Sequence, residues 1–126
     1  MKKIALVIFL LSSNTLALDC NKASSTPEIN ACAKQEQEKV EAELNAVYKE
    51  VMKPLSEPDT EYEKPSEVKA ALIEAQRAWI KFREADCNAV YIQNQGGTIR
   101  TVMYISCMQQ RAKQRIKELR NFIEAY

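Results

Sequence analysis

Apolar residues recur at intervals of three, four and seven in three stretches of the chain, the spacing at which side chains share one face of an α-helix. The first stretch opens with Thr26 as the expected N-cap, Pro27 as the first helical residue and Glu28 as an acid in the first turn. It is predicted to end at about Lys53, because Pro54 cannot continue a helix. Its apolar face consists of Ile29, Ala33, Val40, Leu44, Val47 and Val51.

Two further helices are predicted downstream. Ser66 is expected to cap the second, which runs to about Asn94, and Thr98 to cap the third. Between them, Asn94-Gln95-Gly96-Gly97 is the one glycine-bearing break in the chain and marks a turn. The pattern predicts an all-α fold, a small antiparallel bundle of three long helices. The apolar positions are Val68, Leu72, Trp79 and Val90 in the second helix, and Val102, Ile105, Ala112, Ile116, Leu119, Ile123 and Tyr126 in the third.

The apolar face of the second helix also contains three polar residues, Gln76, Arg83 and Asp86. Arg83 and Asp86 are three residues apart and can pair on the helix surface. If Arg83 is buried, its guanidinium needs acceptors, for which Asp86, Glu41 on the first helix and exposed helix-end carbonyls are the candidates. Two interpretations are open: a satisfied network that fixes helix register, or a binding site with one edge open to a partner.

The first 17 residues have the order of a signal peptide. Lys2-Lys3 is positively charged, Ile4–Leu11 is apolar, and Ala17 closes a small-residue cleavage site. Eight apolar residues are too few to span a bilayer, which takes about 20. The alternatives are an N-terminal core helix and a lipoprotein signal, and an aspartate before the first cysteine argues against the second. We expect a signal peptide (1–17) and one exported domain (18–126), periplasmic or secreted, without a membrane span after cleavage.

Four cysteines in an exported chain predict two disulfides. Cys87 lies ten residues before Gly97 and Cys107 ten after it, so an antiparallel hairpin closed at this turn brings the two side by side. Cys20 and Cys32 are then left to tie the N-terminal segment to the first helix. Four cysteines allow three connectivities, so cross-pairing stays open. A zinc site is disfavoured, because the chain has neither a C-x-x-C motif nor a histidine.

Charge is divided unevenly between the halves of the predicted domain. Residues 18–75 carry seven Lys, no Arg and 13 acids, a net of −6, whereas residues 76–126 carry three Lys, six Arg and four acids, a net of +5. The halves can neutralise each other in the fold, or they can leave an acidic end that meets a basic partner. The basic half lacks the clustered, aromatic-interleaved lysines and arginines expected of nucleic-acid binding.

The residues that most enzymes use are missing. Without histidine, neither a Ser-His nor a Cys-His nucleophile pair can form, and paired cysteines offer no thiolate. Two glycines in a single turn make no phosphate-binding loop. Carboxylates are abundant, and a hydrolase built on two of them is the remaining catalytic alternative. We predict that the protein is not an enzyme and needs no metal or cofactor.

Eleven motifs and residues along the chain occur together in a known family: Cys32, Leu44-Asn45, Tyr48, Leu72, Ala75-Gln76, Trp79, Arg83, Cys87, Cys107, Arg115 and Leu119. With them, the chain resembles the lysozyme-inhibitor LprI-like N-terminal domain family over nearly the whole predicted domain. The resemblance implies an exported, helical, disulfide-bonded domain and, for the named member, inhibition of lysozyme. Two positions depart from the family pattern: Glu41, where Asp is frequent, and Ala112, where Thr is frequent.

A candidate partner site lies in the proline-flanked connection before the second helix. Glu57, Asp59, Glu61 and Glu63 surround Tyr62, whose amphipathic ring is common among interface anchors. Common lysozymes are basic, so these acids would steer such an enzyme toward the loop. The alternative is an ordinary solvated connector. For the whole chain we therefore expect a protein-binding domain of the bacterial envelope, with lysozyme as its partner, or a periplasmic scaffold domain with a different protein partner.

Overall fold

Three long helices make up most of the computed structural model, which describes residues 18–125. They are α1 (Thr26–Met52), α2 (Pro65–Gln93) and α3 (Arg100–Ala125), and a 3-10 turn, Pro54–Ser56, follows α1. Within the described residues there is no β-strand. The prediction of an all-α fold of three long helices is confirmed.

The third helix lies between the other two. α3 packs along α1 and along α2, whereas the backbones of α1 and α2 hardly approach each other. Side-chain contacts progress in the same direction along α1 and α3, from Ala33 with Gln109 to Glu43 with Arg120, so these two helices are parallel. α2 runs antiparallel to both. α2 is therefore covered mainly by α3 and by the 3-10 turn that follows α1.

The hydrophobic core is concentrated in the middle of the bundle and towards the end at which α3 finishes. Ala112 is fully buried, and its small side chain lets α3 approach its neighbours closely. Ile29, Val68 and Ile123, predicted on apolar faces, are instead exposed, because the helix ends extend beyond the shared core. Met108 is buried but was not among the predicted positions. The core cluster contains Val40, Leu44, Val47, Val51, Leu72, Ala112, Ile116 and Leu119.

The start of α1 differs by one residue from the prediction. Ser25, rather than Thr26, is the N-cap, and it forms a capping box with Glu28. Hydrogen bonds from the backbone N–H groups of Ser25 and Ser24, followed by the Ser25 hydroxyl, hold the pKa of the Glu28 carboxyl below its ordinary value. The cap moves because only Ser25 has the extended backbone that a capping side chain requires.

The starts of α2 and α3 also differ from the predictions. α2 begins at Pro65, so Ser66 lies inside its first turn and is not the N-cap. The Ser66 hydroxyl instead donates a hydrogen bond to Asp59 Oδ2 (2.9 Å). α3 begins at Arg100, two residues after Thr98, because residues 94–99 form a longer turn than the four-residue break in the sequence indicated.

Both predicted disulfides are present. Cys87 and Cys107 join α2 to α3 with their Cα atoms 5.5 Å apart, and Cys20 and Cys32 join the N-terminal segment to α1 at 5.6 Å. Asp86 lies beside the first pair, but sulfurs bonded to each other offer no thiolate to a metal ion. The hairpin deduced from the position of Gly97 is confirmed.

Candidate functional site

Arg83 is buried on α2, with only 8% of its surface exposed. Its Nη1 atom donates to Glu41 Oε1 on α1 at 2.6 Å, so Glu41 is the acceptor that it contacts among the three candidates. Arg83 Nε is buried without a hydrogen-bond partner. This ion pair is the main polar link between α1 and α2, whose backbones are otherwise apart.

Trp79 is flanked by two guanidinium groups. The Cζ atom of Arg83 lies 4.6 Å from the ring centroid and that of Arg115, on α3, lies 6.0 Å from it. Arg115 Nε also donates to Gln76 Oε1 at 2.9 Å, and its Nη1 donates to Glu118 at 3.0 Å. A cation over an indole face is attractive, and more so where water is excluded. Gln76, Trp79, Arg83, Glu41 and Arg115 thus form one connected cluster, which we call the arginine network.

Asp86 does not belong to this cluster. It accepts from Arg111 on α3, with Arg111 Nη2 2.6 Å and Nε 2.7 Å from Oδ2. Arg111 also lies over the ring of Phe82, 5.6 Å from its centroid. The sequence analysis identified neither Arg111 nor Phe82, although in the sequence Phe82 is next to Arg83 and Arg111 is next to Ala112. Asp86 prefers the neighbouring helix because Arg83 is turned inward to Glu41.

The arginine network satisfies most of its own polar groups. Each of its arginines has a carboxylate or amide acceptor, and the Trp79 ring is occupied by the two cations. Little of it faces solvent, since the side chains of Arg83 and Arg115 are mostly buried. Such a closed arrangement suits the holding of three helices in register better than the capture of a ligand.

In contrast to the mostly buried arginine network, the acidic connection before α2 (residues 57–63) is exposed to solvent. We call this connection the acidic turn. Thr60 and Glu63 close it: Thr60 N–H donates to the Glu63 carbonyl at 2.9 Å, and Glu63 N–H donates to Thr60 Oγ1 at 3.0 Å. Tyr62 lies within this closed segment with 89% of its surface exposed. A defined turn that projects an aromatic ring into solvent loses little conformational entropy when a partner binds it.

The four acids of the acidic turn fall into two groups. Asp59 accepts from both the N–H and the hydroxyl of Ser66, at 3.1 Å and 2.9 Å, and so tethers the turn to the start of α2. These bonds, with a smaller effect from Lys64, hold the pKa of Asp59 below its ordinary value. The side chains of Glu57, Glu61 and Glu63 make no hydrogen bond or ion pair within residues 18–125. Three free carboxylates therefore share the turn with Tyr62, and Asp59 tethers that turn to α2.

An open groove adjoins the acidic turn. It encloses about 490 Å³ and is lined by apolar side chains from three parts of the chain, Leu55, Val68 and Phe122, together with Glu63 and Lys64. The groove arises where the ends of α2 and α3 extend past the core. Apolar surface beside unpaired acids is the composition of a protein-binding site with a polar rim.

Other acids of the acidic half are paired across helices. On α3, Arg120 lies 2.8 Å from Glu43 and Lys113 lies 3.9 Å from Glu36, both on α1. Together with Arg83 and Glu41, these pairs neutralise charge between the two halves, as one of the two interpretations proposed. The free carboxylates of the acidic turn remain outside this exchange.

Among the described helices, none combines the length and the apolar character that a membrane span needs. The predicted signal peptide lies outside the described residues.

Comparisons with known proteins agree with the resemblance noted in the sequence. The family model described as "Lysozyme inhibitor LprI" matches residues 19–119. The chain is also 31% identical over 111 residues to "Uncharacterized protein R02472" of Rhizobium meliloti (strain 1021), a match that covers 85% of this chain and 80% of that protein. No solved structure matches the chain. Since the family model spans both disulfides, the arginine network and the acidic turn, the chain belongs to the LprI family of lysozyme inhibitors.

Proposed function

We propose that this protein is exported to the bacterial envelope, where it binds a basic lysozyme and inhibits it. Membership of an inhibitor family supports the class of partner. The order of charged, apolar and small residues in the first 17 positions supports export. Protein binding is also the role that a chain without histidine and without a free thiol among its described residues can perform most directly.

The acidic turn is the surface that we assign to the enzyme. The observation that carries this assignment is the exposed ring of Tyr62 among the unpaired carboxylates of Glu57, Glu61 and Glu63. Long-range attraction between these acids and a basic enzyme would raise the association rate, and the Tyr62 ring would supply desolvated contact area. The groove beside the turn offers a place for an apolar side chain of the enzyme.

A clearing assay tests this function. The purified protein should slow the clearing of bacterial cell walls by lysozyme, and salt should weaken the effect, because surface charges are screened over about 8 Å at physiological ionic strength. Reversing Glu61 and Glu63 to Lys should lower the association rate and leave the melting temperature nearly unchanged, because neither carboxylate has a partner among residues 18–125.

A matched control separates the acidic turn from net charge. Glu38→Lys changes the charge by the same amount as Glu61→Lys, at an exposed position of α1 with no hydrogen-bond or ion-pair partner in the described chain. Only Glu61→Lys should reduce the association rate. If the wild-type protein fails to inhibit lysozyme at low salt, the inhibitor proposal is wrong and a scaffold with another protein partner replaces it. Equal effects of the two reversals would instead remove the acidic turn as the site.

A further inference from the structure

One face of α2 is apolar along the length of the helix and yet exposed. Val68, Phe82 and Ile92, near its start, middle and end, have 41%, 54% and 52% of their surfaces exposed. The positions between them are alanines, and they too are exposed: Ala71, Ala75, Ala78, Ala85 and Ala89. An exposed helix face is normally polar, so this surface lacks the pattern expected of a helix that meets only water.

The spacing on this face is that of a helix–helix seam. From Val68 to Ile92 the intervals alternate between three and four residues without a break, the repeat of a coiled coil. The adjacent face, which contains Leu72, Trp79 and Arg83, has the same spacing and packs inside the bundle. α2 thus has two neighbouring seams. α3 covers the second seam. It reaches the first with Arg111, which lies over the ring of Phe82, but Phe82 stays more than half exposed.

We propose that a second copy of this protein covers the exposed seam, with the two α2 helices antiparallel. The order of residues is self-complementary about a two-fold axis near Ile80, as a symmetric dimer requires. Val68 then lies opposite the partner's Ile92, and Ala75 opposite the partner's Ala85. Phe82 lies opposite the partner's Ala78, so each large ring meets a small residue.

A parallel pairing fits the same seam less well. It places Phe82 against Phe82 of the partner subunit, and this holds the two helices apart where alanine would face alanine. Interiors tolerate voids poorly, because the atoms around them lose their contacts. The antiparallel arrangement removes this contact between two phenylalanine rings, so the helix separation varies less along the seam than in a parallel pair.

Charges beside the seam favour the same orientation. Arg77 and Glu84 are on the outer flank of α2, and in the antiparallel dimer Arg77 lies across from the partner's Glu84, twice by symmetry. Glu84 makes no hydrogen bond or ion pair within residues 18–125, and the Arg77 side chain is 69% exposed while it holds Glu74. In a parallel dimer each residue would face its own kind. Lys81 is near the two-fold axis and lies close to the partner's Lys81, so one contact between the two helices is repulsive.

The size of the seam sets the expected affinity. Its length is about 36 Å at 1.5 Å per residue, and a helix is about 10 Å wide, so each copy covers roughly 360 Å². This is less than half of the roughly 800 Å² per partner in a standard interface, and the dimer is therefore weak. The inference does not depend on lysozyme inhibition, since none of the free acids of the acidic turn is in the seam, although Val68 belongs to the seam and also lines the groove beside that turn.

Sedimentation or light scattering of the full chain, purified as its host cell processes it, measures the dimer between about 10 μM and about 1 mM. The average mass should rise from one copy towards two over this range. Ala78→Glu and Ala85→Glu each place a charge in the seam and should keep the protein monomeric at the highest concentration. Both sites are exposed and glutamate is a good helix former, so the melting temperature should not fall.

Ala46→Glu makes the same change at an exposed alanine of α1 and should leave the dimer intact. Arg77→Glu alone should weaken dimerisation severalfold, and Arg77→Glu combined with Glu84→Arg should restore it.

A wild-type protein that stays monomeric at the highest concentration overturns the proposal, as does a dimer that survives Ala78→Glu and Ala85→Glu. Failure of the double reversal to restore the dimer overturns the antiparallel register. If the wild-type protein is monomeric and Ala78→Glu abolishes lysozyme inhibition, the seam is instead a surface that binds the enzyme.

Discussion

Burial of the Arg83 side chain costs desolvation free energy, yet the same side chain links two helices. Its guanidinium is buried, stacks on Trp79 and reaches Glu41 on another helix. Its Nε has no hydrogen-bond partner, so the site is not fully satisfied. Taking a charge out of water costs several kcal/mol, and only the ion pair and the aromatic ring offset that cost. Removing the whole side chain would also leave a cavity beside Trp79.

We predict that Arg83→Ala destabilises the fold by about 3 kcal/mol, the lower end of the range for breaking a buried pair. The lower end applies because the Glu41 side chain is 29% exposed and can regain water. Arg120→Ala is the control: Arg120 also pairs with a glutamate of α1, Glu43, but both side chains are about half exposed, so the cost should stay below about 1 kcal/mol. Urea unfolding measures both. Equal losses would show that Arg83 is solvated and available for binding.

At the scale of elements, α2 receives its N-terminal cap from a distant residue. Lys64 precedes the helix without a capping side chain, whereas Asp59 binds both the N–H and the hydroxyl of Ser66. The first N–H groups of a helix have no partner within the helix, and a carboxylate is the acceptor that the helix dipole favours there. One residue thus starts α2 and shapes the acidic turn.

We predict that Asp59→Ala lowers the melting temperature at neutral pH and that Glu61→Ala does not. The pKa of Asp59 is lowered in the folded protein, so its contribution is present above the ordinary aspartate pKa, about 4, and is lost as pH falls toward the folded value. The difference in melting temperature between wild type and Asp59→Ala should therefore become smaller below about pH 4. Thermal unfolding from pH 7 to pH 2.5 (about the acid limit of such titrations) checks this. If the difference in melting temperature between the wild type and Asp59→Ala does not change with pH, the Asp59 carboxylate is not the cap.

For the whole molecule, the charged side chains divide into those that join helices and those that do not. Arg83, Lys113 and Arg120 meet acids of α1 and so offset the charge difference between the two halves of the chain. The free acids of the acidic turn are left at one end of the bundle. A nearly neutral protein thus keeps a locally negative end, which is the property that electrostatic steering needs.

Export is a second prediction at the scale of the whole molecule. We predict cleavage after Ala17, and the intact mass of the protein recovered from the periplasm should equal that of residues 18–126 with two disulfides. Oxidation in that compartment agrees with a described chain that has no free cysteine. A mass that includes Met1, or a lipid on Cys20, would contradict the predicted processing.

Local patterns in the sequence determined the helices and favoured the disulfide pairing that the structure has. Periodicity placed α1 and α2 to within one or two residues, because a side chain every three or four positions can share a face only in a helix. The equal distances of Cys87 and Cys107 from Gly97 predicted their pairing, because an antiparallel hairpin closed at this turn brings the two side by side, and the structure excluded the cross-pairings that the sequence had left open. The family followed from the same residues.

Tertiary structure alone decided which polar groups meet. Glu41 was one of three acceptors open to Arg83, and the choice depended on how α1 approaches α2. Asp86 pairs with Arg111 on another helix, and Ser66 pairs with Asp59 in the acidic turn, so neither contact follows from the spacing of residues within one helix. α2 has two apolar seams of equal periodicity. The sequence analysis recognised the seam that contains Leu72 and Trp79, and this seam faces the core. The packing of α3 decided that the second seam, which contains Phe82, stays exposed.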